Sequence, residues 1–443
     1  MYSSVNPYSD QNLEEFDCHS NEELHDILES LKRSYTDWKV ISLDERLALV
    51  KEIGNKLENV KQECAELIST EMGKPLTQSL GEINKSIGLC RYYYDNSKRL
   101  IDSISNPSIQ LDSIGIILAV MPWNFPVWQL FRVLIPQIIM GNVILCKPAP
   151  NVSMVNEFLA KLFYDVSILK FVRLTNAQVA DCIKDSAIRG VTLTGSVRAG
   201  KAVATIAAAE VKPTVLELGG SDPFIVTQNA DLDLAAENLL LSRFQNAGQS
   251  CIAAKRLIIH HSVKIDFLER LIAGVKTFKY GDPLDLATNI GPLARKSCQD
   301  TVMDQVKRGL EDNASLLYQS DITHILRGCF FPATIIEVFS VENNLWKEEV
   351  FGPVLAFMSY DTDEEAVRFA NASEYGLGAS VWSKDEERQN FFIKHIEAGM
   401  LAINKMMVST YDRPFGGIKQ SGYGQELALE GLLSFINKKQ LFK

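Results

Sequence analysis

The 443-residue sequence lacks the cysteine spacing that marks a disulfide scaffold or a CxxC site. Its eight cysteines lie far apart between Cys18 and Cys329, and no two of them form a CxxC pair. A chain of this length buries enough apolar surface to be stable without disulfide bonds. We therefore expect free thiols in a reducing compartment.

The sequence also shows no targeting segment and no membrane span. The N-terminal residues MYSSVNPYSDQNLEEFD contain neither a basic start nor an apolar run, one of which a signal or transit peptide would need. The most apolar region, 114–146, is interrupted by prolines, Asn124, Arg132 and Gly141, which excludes a membrane-spanning helix. A formal net charge of −10 disfavours non-specific binding to nucleic acid or anionic lipid. These absences predict a cytoplasmic protein without nucleic-acid or membrane partners.

Two common nucleotide-binding motifs are missing. The segment GSVRAGKA at 195–202 resembles a phosphate-binding P-loop, but Ala202 replaces the hydroxyl residue that holds Mg2+, which argues against an ATPase. No GxGxxG follows a predicted strand, so the ordinary Rossmann fingerprint is absent too. The six histidines suggest no metal site, because His260 and His261 would point to opposite faces of one strand and the others are isolated.

Short apolar runs alternate with amphipathic segments along most of the chain. Ser42 and Glu45 resemble a capping box, and helical apolar spacing continues until Gly73, which predicts one long helix. Strands are predicted at 114–120, 143–147, 191–194 and 215–218, with helices at 152–165 and 197–209. Further strands are predicted near 224–226, 256–259, 354–358, 380–382 and 401–403. The order predicts two α/β lobes with mostly parallel sheets and a cleft between them.

Five motifs occur in an order that is typical of one enzyme superfamily. They are PWNFP at 122–126, LELGG at 216–220, FQNAGQSC at 244–251, EEVFGP at 348–353 and PFGGIKQSG at 414–422. On these motifs the sequence resembles the aldehyde dehydrogenase superfamily over nearly its whole length. The segments MPWNFPVWQ, KPAPNV, VTLTGSVRAG and LELGGSDPFIV most resemble the short bacterial type of succinate-semialdehyde dehydrogenase. The resemblance implies oxidation of an aldehyde to a carboxylic acid, with succinate semialdehyde as the expected substrate.

The resemblance also implies a Rossmann-like cofactor domain, an α/β catalytic domain and a small β oligomerisation element. We expect the NAD(P)-binding domain at 1–97 and 114–220, the catalytic domain at 221–420, and the oligomerisation element at 98–113 and 421–443. The segment 98–113 is shorter than in relatives, and 164–180 lacks their Pro-x-Gly turn. The tail 435–443 alternates like a strand with an edge that needs a partner, so we expect a homodimer or homotetramer.

The implied chemistry assigns roles to three residues. Cys251 matches the family nucleophile, which forms a thiohemiacetal whose hydride a nicotinamide can accept. The Asn124 amide and the Cys251 main-chain N–H would donate hydrogen bonds to the oxyanion. Glu217 lies between two leucines and precedes two glycines, and it matches the base that activates water to hydrolyse the thioester. Its apolar neighbours would raise its pKa.

Other positions match the family's contacts to the adenosine half of NAD or NADP. Lys147, at a strand end, resembles the lysine that grips the adenosine ribose, and Gly195 with Ser196 at a helix start suits the pyrophosphate. Pro150 stands where NAD-preferring relatives have a glutamate that binds the ribose hydroxyls. Without that carboxylate a 2′-phosphate is not repelled, so we expect NADP to be accepted as well as NAD.

The nicotinamide half of the cofactor also has matching positions. Trp123 is expected to line the same groove as Lys147. Glu349 and Phe351 match the residues that hold the nicotinamide ribose and ring.

A carboxylate-bearing aldehyde needs a fixed cation in the entry tunnel. Arg132, eight residues past Asn124, coincides with an arginine used in this way by succinate-semialdehyde enzymes, although it could also be an ion-paired or surface arginine. Some relatives have a second arginine at the position occupied here by Gln245. Further hydroxyl or charge contacts could come from Ser409, Thr410, Arg413 or Arg243.

Three alternatives stay open at this point. The substrate could be another small aliphatic or aromatic aldehyde. The chain could be a catalytically weak relative kept as a binding protein. It could also be a cysteine hydrolase, for which His395 or His260 would have to meet Cys251.

Overall fold

The computed structural model describes residues 2–442, which form fifteen α-helices and nineteen strands. The helices are α1 (Asn21–Trp38), α2 (Leu43–Asn59), α3 (Lys61–Met72), α4 (Leu76–Asp102), α5 (Pro126–Ile139), α6 (Ser153–Leu162), α7 (Asn176–Lys184), α8 (Val197–Ala209), α9 (Leu232–Phe244), α10 (Lys264–Val275), α11 (Lys296–Glu311), α12 (Asn344–Lys347), α13 (Asp363–Asn371), α14 (Glu386–His395) and α15 (Ala428–Leu433). Short 3-10 helices cover Pro150–Val152, Gln245–Gly248 and His261–Val263.

The strands are β1 (Tyr2–Asn6), β2 (Gln11–Phe16), β3 (Ile109–Ser113), β4 (Ile116–Val120), β5 (Val143–Lys147), β6 (Leu169–Phe171), β7 (Ile188–Thr194), β8 (Thr214–Glu217), β9 (Asp222–Val226), β10 (Ala254–His260), β11 (Ser315–Gln319), β12 (Thr334–Glu337), β13 (Val354–Tyr360), β14 (Tyr375–Gly376), β15 (Gly378–Trp382), β16 (Met400–Ile403), β17 (Ile418–Lys419), β18 (Gly422–Tyr423) and β19 (Ile436–Gln440).

Six strands form the sheet of what we call the first lobe, in the order β18, β8, β7, β4, β5, β6. All neighbouring strands in it are parallel except β18 and β8. Residues 116–119 of β4 are all buried, as expected for a parallel strand covered by helices on both faces. Because parallel strands end at the same edge of a sheet, Lys147 of β5 and Glu217 of β8 lie on one edge.

Seven strands form the sheet of the second lobe, in the order β11, β12, β13, β10, β9, β15, β16, and only β11 runs antiparallel to its neighbour. Each lobe has its own apolar core. In the second core the rings of Phe224 and Trp382 stack with centroids 5.2 Å apart. The predicted arrangement of two α/β lobes with mostly parallel sheets is therefore confirmed.

The prediction of one long helix after Ser42 is wrong, although the capping box at Ser42 is present. The stretch contains α2, which ends at Asn59, and α3, which begins at Lys61. Val60 between them has φ −117° and ψ 15°, and its N–H bonds to the carbonyl of Leu57 in a tightened last turn. Neither glycine nor proline marks this break, so apolar spacing alone did not reveal it.

The predicted geometry of the histidine pair is also wrong. β10 ends at His260, and His261 begins a 3-10 helix, so the two side chains do not alternate across a strand. Their ring centroids lie 4.7 Å apart. The end of the strand brings together two rings that a continuous strand would have separated.

The segment 98–113 is only partly extended. Helix α4 continues to Asp102, and β3 begins at Ile109. The tail is a strand, as the sequence predicts, and β19 pairs antiparallel with β3 from Ile436 opposite Ser113 to Gln440 opposite Ile109. Within residues 2–442 no third strand joins this ribbon. None of the helices within residues 2–442 is both long and apolar enough to cross a membrane.

Candidate active site

A cavity of about 350 Å³ lies where the two lobes meet, and Cys251 lines it. Helices α4 and α5 of the first lobe form one side, and the segments before β10 and after β16 form the other. Arg132, Gln245 and Ser409, predicted from the sequence as substrate contacts, all line this cavity. Its volume suits a small-molecule ligand.

The backbone before Cys251 adopts an unusual conformation. Asn246, Ala247 and Gly248 have φ angles of 53°, 51° and 75°, three left-handed residues in a row. Left-handed backbone costs about 1–2 kcal/mol for each residue that has a side chain, so other contacts must hold it. The Gln249 side chain supplies two of them, because it donates to the Asn246 carbonyl at 3.1 Å and accepts from the Ala294 N–H at 2.9 Å.

Arg243 anchors the same loop from inside the second lobe. Its buried guanidinium donates to the carbonyls of Gly248, at 3.0 Å, and of Gly352. Burial lowers the pKa of Arg243 to about 9. Only glycine fits at position 248, because the Cβ of any other residue would lie 2.6 Å from the carbonyl carbon of Gly352 and collide with it. The sequence suggested Arg243 as a charge for the substrate, but its guanidinium instead joins the loop before Cys251 to residues 350–352.

Asn124 contacts the segment before Cys251 directly. Its buried side-chain amide donates to the main-chain carbonyl of Gln249 at 3.1 Å, and the Asn124 main-chain carbonyl accepts from the Asn246 side chain at 3.1 Å. A side-chain amide has two N–H donors, so Asn124 keeps one N–H that could donate to a ligand. The structure thus brings Asn124 beside the residues that precede Cys251.

Glu217 belongs to a buried cluster with Arg132 and Glu426. The Arg132 Nε lies 2.6 Å from the Glu426 carboxylate, with the two side chains only 2% and 4% exposed. Neither carboxyl oxygen of Glu217 has a hydrogen-bond partner among residues 2–442. Burial raises the pKa of Glu217 well above its ordinary value, the Glu426 charge raises it further, and Arg132 opposes both effects. Glu426 was missed at the sequence level, where it is an ordinary glutamate in a tail loop.

The Cys251 thiol is free and partly buried. Burial raises its pKa to about 12, and the nearby charges of Arg132 and Lys255 oppose this rise. Glu349 and Glu217 are close enough to raise the pKa further. A thiol with so high a pKa is protonated at neutral pH, so an attack by its sulfur would require a base.

Lys255, which no sequence pattern indicated, joins Cys251 to Glu349. Its ammonium, 2% exposed, donates to the carbonyls of Ser250 and Cys251, both at 2.8 Å, and lies 3.4 Å from the Glu349 carboxylate. The same carboxylate accepts from the Gly220 N–H at 3.1 Å. Burial lowers the pKa of Lys255, while Glu349 opposes the shift.

The predicted adenosine contacts lie along the strand edge of the first lobe. Lys147 is buried, and its ammonium lies 5.5 Å from the ring centroid of Tyr2, a residue of the N-terminal hairpin that the sequence did not indicate. The described chain places no carboxylate within 4 Å of this ammonium, and burial lowers the Lys147 pKa. Pro150 is exposed at the start of a 3-10 helix, three residues after Lys147.

The predicted pyrophosphate contacts lie at the start of helix α8. Ser196 caps the helix by accepting from the Ala199 N–H at 3.3 Å, and Gly195 precedes it without a side chain. The first turn contains no acidic residue, so it does not repel an anion. The start of α8 fits the phosphates of a dinucleotide. Lys147, which is buried and has no carboxylate close by in the described chain, fits its ribose.

The predicted nicotinamide contacts meet near the nucleophile. Trp123 and Phe351 pack edge to face with ring centroids 5.7 Å apart. The Arg295 guanidinium lies 5.9 Å from the Trp123 ring centroid, and the Lys255 ammonium lies 5.9 Å from that of Phe351. With the Glu349 carboxylate nearby, these groups fit a ribose and an aromatic ring.

Two predicted substrate residues differ from the rest in their surroundings. Thr410 lines a neighbouring cavity, together with Arg413, rather than the cavity with Cys251. Arg132 lines the Cys251 cavity, but its charge is paired with Glu426. Lys85 of α4, which was missed, also lines the cavity and donates to the Ser409 hydroxyl at 2.7 Å. This contact joins residues 324 positions apart, which no local pattern reveals.

The two histidines of the hydrolase alternative lie elsewhere. His260 is at the far end of β10, a seven-residue strand that spans about 20 Å. His395 is exposed and contacts the Phe391 carbonyl at 2.7 Å. Neither lines the Cys251 cavity. In residues 2–442 no group of three or more His, Cys, Asp or Glu side chains is arranged to hold a metal ion.

Comparisons with known proteins agree with this geometry. The model of the aldehyde dehydrogenase family matches residues 1–441. Succinate semialdehyde dehydrogenase Sad of Escherichia coli, named for NAD(P)+, is 37% identical, with 99% of this chain and 97% of that protein covered. Succinate-semialdehyde dehydrogenase 1 of Mycobacterium tuberculosis, named for NADP+, is 36% identical, with 99% of both chains covered.

Solved structures show the same relationship. The crystal structure of succinic semialdehyde dehydrogenase from Streptococcus pyogenes with NADP+ is 34% identical and covers 100% of both chains with a TM-score of 0.95. The structure of Gox0499 is 37% identical, with 100% of this chain and 99% of that chain covered and a TM-score of 0.96. The resemblance predicted from the motifs is confirmed: the chain belongs to the aldehyde dehydrogenase family and is an NAD(P)-dependent oxidoreductase.

Proposed function

We propose that the protein oxidises succinate semialdehyde to succinate with NADP+ or NAD+. The observation that carries the proposal is the cavity that joins the Cys251 thiol to the cationic side chains of Arg132 and Lys85. A thiol beside cations suits an aldehyde that also bears a carboxylate. Relatives that are named for this substrate, in Escherichia coli and Mycobacterium tuberculosis, support the choice.

Cys251, Asn124 and Glu217 are the proposed catalytic residues for attack on the aldehyde. The Cys251 sulfur bonds to the carbonyl carbon, its proton passes to Glu217, and the carbonyl electron pair moves to oxygen. The Asn124 amide and the Cys251 N–H donate to this oxyanion. Bound NAD(P)+ supplies the acceptor for the hydride that leaves the same carbon. The carbon then carries a restored C=O bond and remains attached to sulfur as a thioester.

Release of the acid requires a base, and Glu217 is the proposed one. After giving its first proton to solvent, the Glu217 carboxylate removes a proton from water while the water oxygen bonds to the thioester carbon. The C–S bond breaks, and its electron pair returns to Cys251. The raised pKa of Glu217 suits a group that must take up a proton in one step and release it in the next.

The proposed cofactor contacts follow the groove from adenosine to nicotinamide. They are Lys147, Pro150, Gly195, Ser196, Trp123, Glu349 and Phe351. Pro150 supports acceptance of NADP+, because a proline cannot repel the 2′-phosphate as a carboxylate would. The neighbour crystallised with NADP+ also supports it.

The proposed substrate contacts are Arg132, Gln245 and Ser409, with Thr410 next to Ser409 in the chain.

We retain the domain division as part of the proposal: a cofactor domain at 1–97 and 114–220, a catalytic domain at 221–420, and an oligomerisation element at 98–113 and 421–443. The β3–β19 ribbon supports a homodimer or homotetramer, because no third strand within residues 2–442 covers its outer edges and a strand of a second copy could pair there. A cytoplasmic location is also proposed.

An aldehyde panel tests the function. Reduction of NADP+ and NAD+ is followed with succinate semialdehyde, butanal and benzaldehyde, and Cys251→Ala is the matched inactive control. We expect the highest kcat/KM for succinate semialdehyde, with NADP+ accepted. A higher kcat/KM for butanal or benzaldehyde would favour another aldehyde as substrate. Ester hydrolysis without a cofactor would favour the hydrolase, and no turnover of either kind would favour a binding protein.

A further inference from the structure

Lys85 presents a positive charge to the cavity that contains Cys251. It lies on helix α4 and is partly buried. Its ammonium donates to the Ser409 hydroxyl at 2.7 Å and lies 4.4 Å from the ring centroid of Trp128. Both neighbours also line the cavity, so the ammonium is held at its wall by one hydroxyl and one aromatic ring.

Lys85 has no carboxylate partner within 4 Å in the part of the chain that the structure describes. The nearest acidic group on its own helix is Glu82, one turn earlier, and this group is already occupied. Glu82 pairs with buried Lys74 and accepts from the N–H groups of Val127 and Trp128, at 2.8 and 3.0 Å. The Glu82 carboxylate is therefore bound to Lys74 and to the first N–H groups of α5, and it does not pair with Lys85.

Arg132, the other cationic residue that lines the cavity, differs from Lys85 because it has a carboxylate partner. Arg132 is paired with Glu426 at 2.6 Å and packs 4.2 Å from the ring centroid of Phe415. A carboxylate that approaches Arg132 would have to compete with Glu426. An approach to Lys85 meets no such competitor, and it would compensate a charge that the fold leaves unpaired.

The surroundings of Lys85 disfavour its charged form. Burial lowers the pKa of Lys85 to about 8, the positive charge of Arg132 lowers it further, and Glu82 opposes both. A buried ammonium without a counterion is unfavourable, and a bound anion removes this penalty. Substrate binding would therefore be strongest for molecules that bring a carboxylate.

We propose that Lys85, held by Ser409, is the specificity-determining residue that binds the substrate carboxylate. The inference rests on the proposed oxidation of a carboxylate-bearing aldehyde and identifies the cation responsible. Arg132 then has a second task, which is to balance Glu426 and Glu217 behind the nucleophile. Arg132 remains a proposed contact at the cavity wall, while Lys85 supplies the unpaired charge that meets the substrate carboxylate.

The test compares Lys85→Met with the wild type on succinate semialdehyde and on butanal, a neutral aldehyde of equal chain length. Loss of a hydrogen bond to a charged group predicts a KM for succinate semialdehyde about 10- to 100-fold higher, with kcat little changed. The KM for butanal should stay the same or fall. Lys51→Met is the matched control, because Lys51 is a surface lysine whose ammonium lies 4.9 Å from the centroid of the Tyr94 ring.

A pH series with Lys85→Arg gives a second readout. In the wild type the KM for succinate semialdehyde should rise above pH about 8, where free Lys85 loses its proton, while the KM for butanal should not follow. An arginine stays charged throughout this range. Lys85→Arg should therefore keep a flat KM profile.

Each outcome decides between defined alternatives. A selective rise in KM for the charged substrate in Lys85→Met supports the inference. If wild type prefers succinate semialdehyde and Lys85→Met keeps that preference, the inference is wrong while the proposed function stands. If wild type does not prefer the charged aldehyde, both are wrong.

Discussion

Lys255 and Glu349 meet at 3.4 Å beside the nucleophile, and the same ammonium donates to the Cys251 carbonyl at 2.8 Å. One side chain therefore connects the proposed ribose contact with the proposed nucleophile. Because Lys255 is 2% exposed, water cannot readily replace it. The position of the Glu349 carboxylate should depend on this lysine.

Replacement of Lys255 by methionine should weaken cofactor binding. Without the ammonium, the Glu349 carboxylate loses its cation, and we expect the Kd for NADP+, measured by fluorescence titration, to rise about tenfold. Lys264→Met is the control, because Lys264 pairs with Glu337 in the same lobe but does not line the Cys251 cavity. A Kd for NADP+ that is equal in both variants would contradict the proposed role of Lys255.

The Glu217–Glu426 pair should set the pH dependence of turnover. The proposed base Glu217 must be ionised to accept a proton, so activity should rise as the pH rises through its pKa, which burial and the Glu426 charge hold above the ordinary value. Glu426→Gln removes one of the two causes, and it should move the rising limb of the kcat profile to lower pH. A limb that stays in place, or moves to higher pH, would show that Glu426 does not act on Glu217.

Gly88 should be intolerant of a side chain although it lies within a helix. An alanine there normally stabilises a helix by about 1 kcal/mol relative to glycine. In this fold a Cβ at Gly88 would collide with the Tyr411 hydroxyl and lie 3.0 Å from its Cζ atom. Tyr411 donates to the Lys85 carbonyl at 3.1 Å and lies two residues after Ser409, so displacing it disturbs the Lys85–Ser409 contact.

We therefore expect Gly88→Ala to lower Tm and to raise the KM for succinate semialdehyde. Gly81→Ala on the same helix is the control for Tm alone, since a Cβ at Gly81 meets no atom within 4 Å but the residue lines the Cys251 cavity. Thermal unfolding compares the two variants, and the KM of Gly88→Ala for succinate semialdehyde is compared with that of the wild type. If Gly88→Ala and Gly81→Ala have the same Tm, Tyr411 moves aside without loss of stability and the prediction is wrong.

Much of the fold was predictable because its signals are local. The bounds of β5 and α8 match the predicted segments 143–147 and 197–209, where glycine or proline punctuates the chain. The break at Val60 has no such signal, and it was missed. The family and the oxidoreductase class were predicted from short motifs and are confirmed.

The candidate site was predictable only where a motif carried it. The motif residues Cys251, Asn124 and Glu217 could be named from the sequence, and their roles stay predictions. Lys85 and Glu426 could not be named, because their contacts to Ser409 and Arg132 join distant parts of the chain. Such pairs depend on how the two lobes and the tail pack together, which residue spacing does not encode.

The central claim is that the aldehyde carbon becomes attached to the Cys251 sulfur. It is tested most directly with Glu217→Gln, in which the Cys251 proton must pass to solvent, so NADPH should form more slowly than in the wild type while hydrolysis of the thioester falls about 10²- to 10⁴-fold. The variant is mixed with NADP+ and succinate semialdehyde, and its peptides are analysed by mass spectrometry after rapid acid quenching. We predict one succinyl group on Cys251 for each NADPH formed in the first turnover. NADPH formation with unmodified Cys251, or with the group on another residue, would contradict the account.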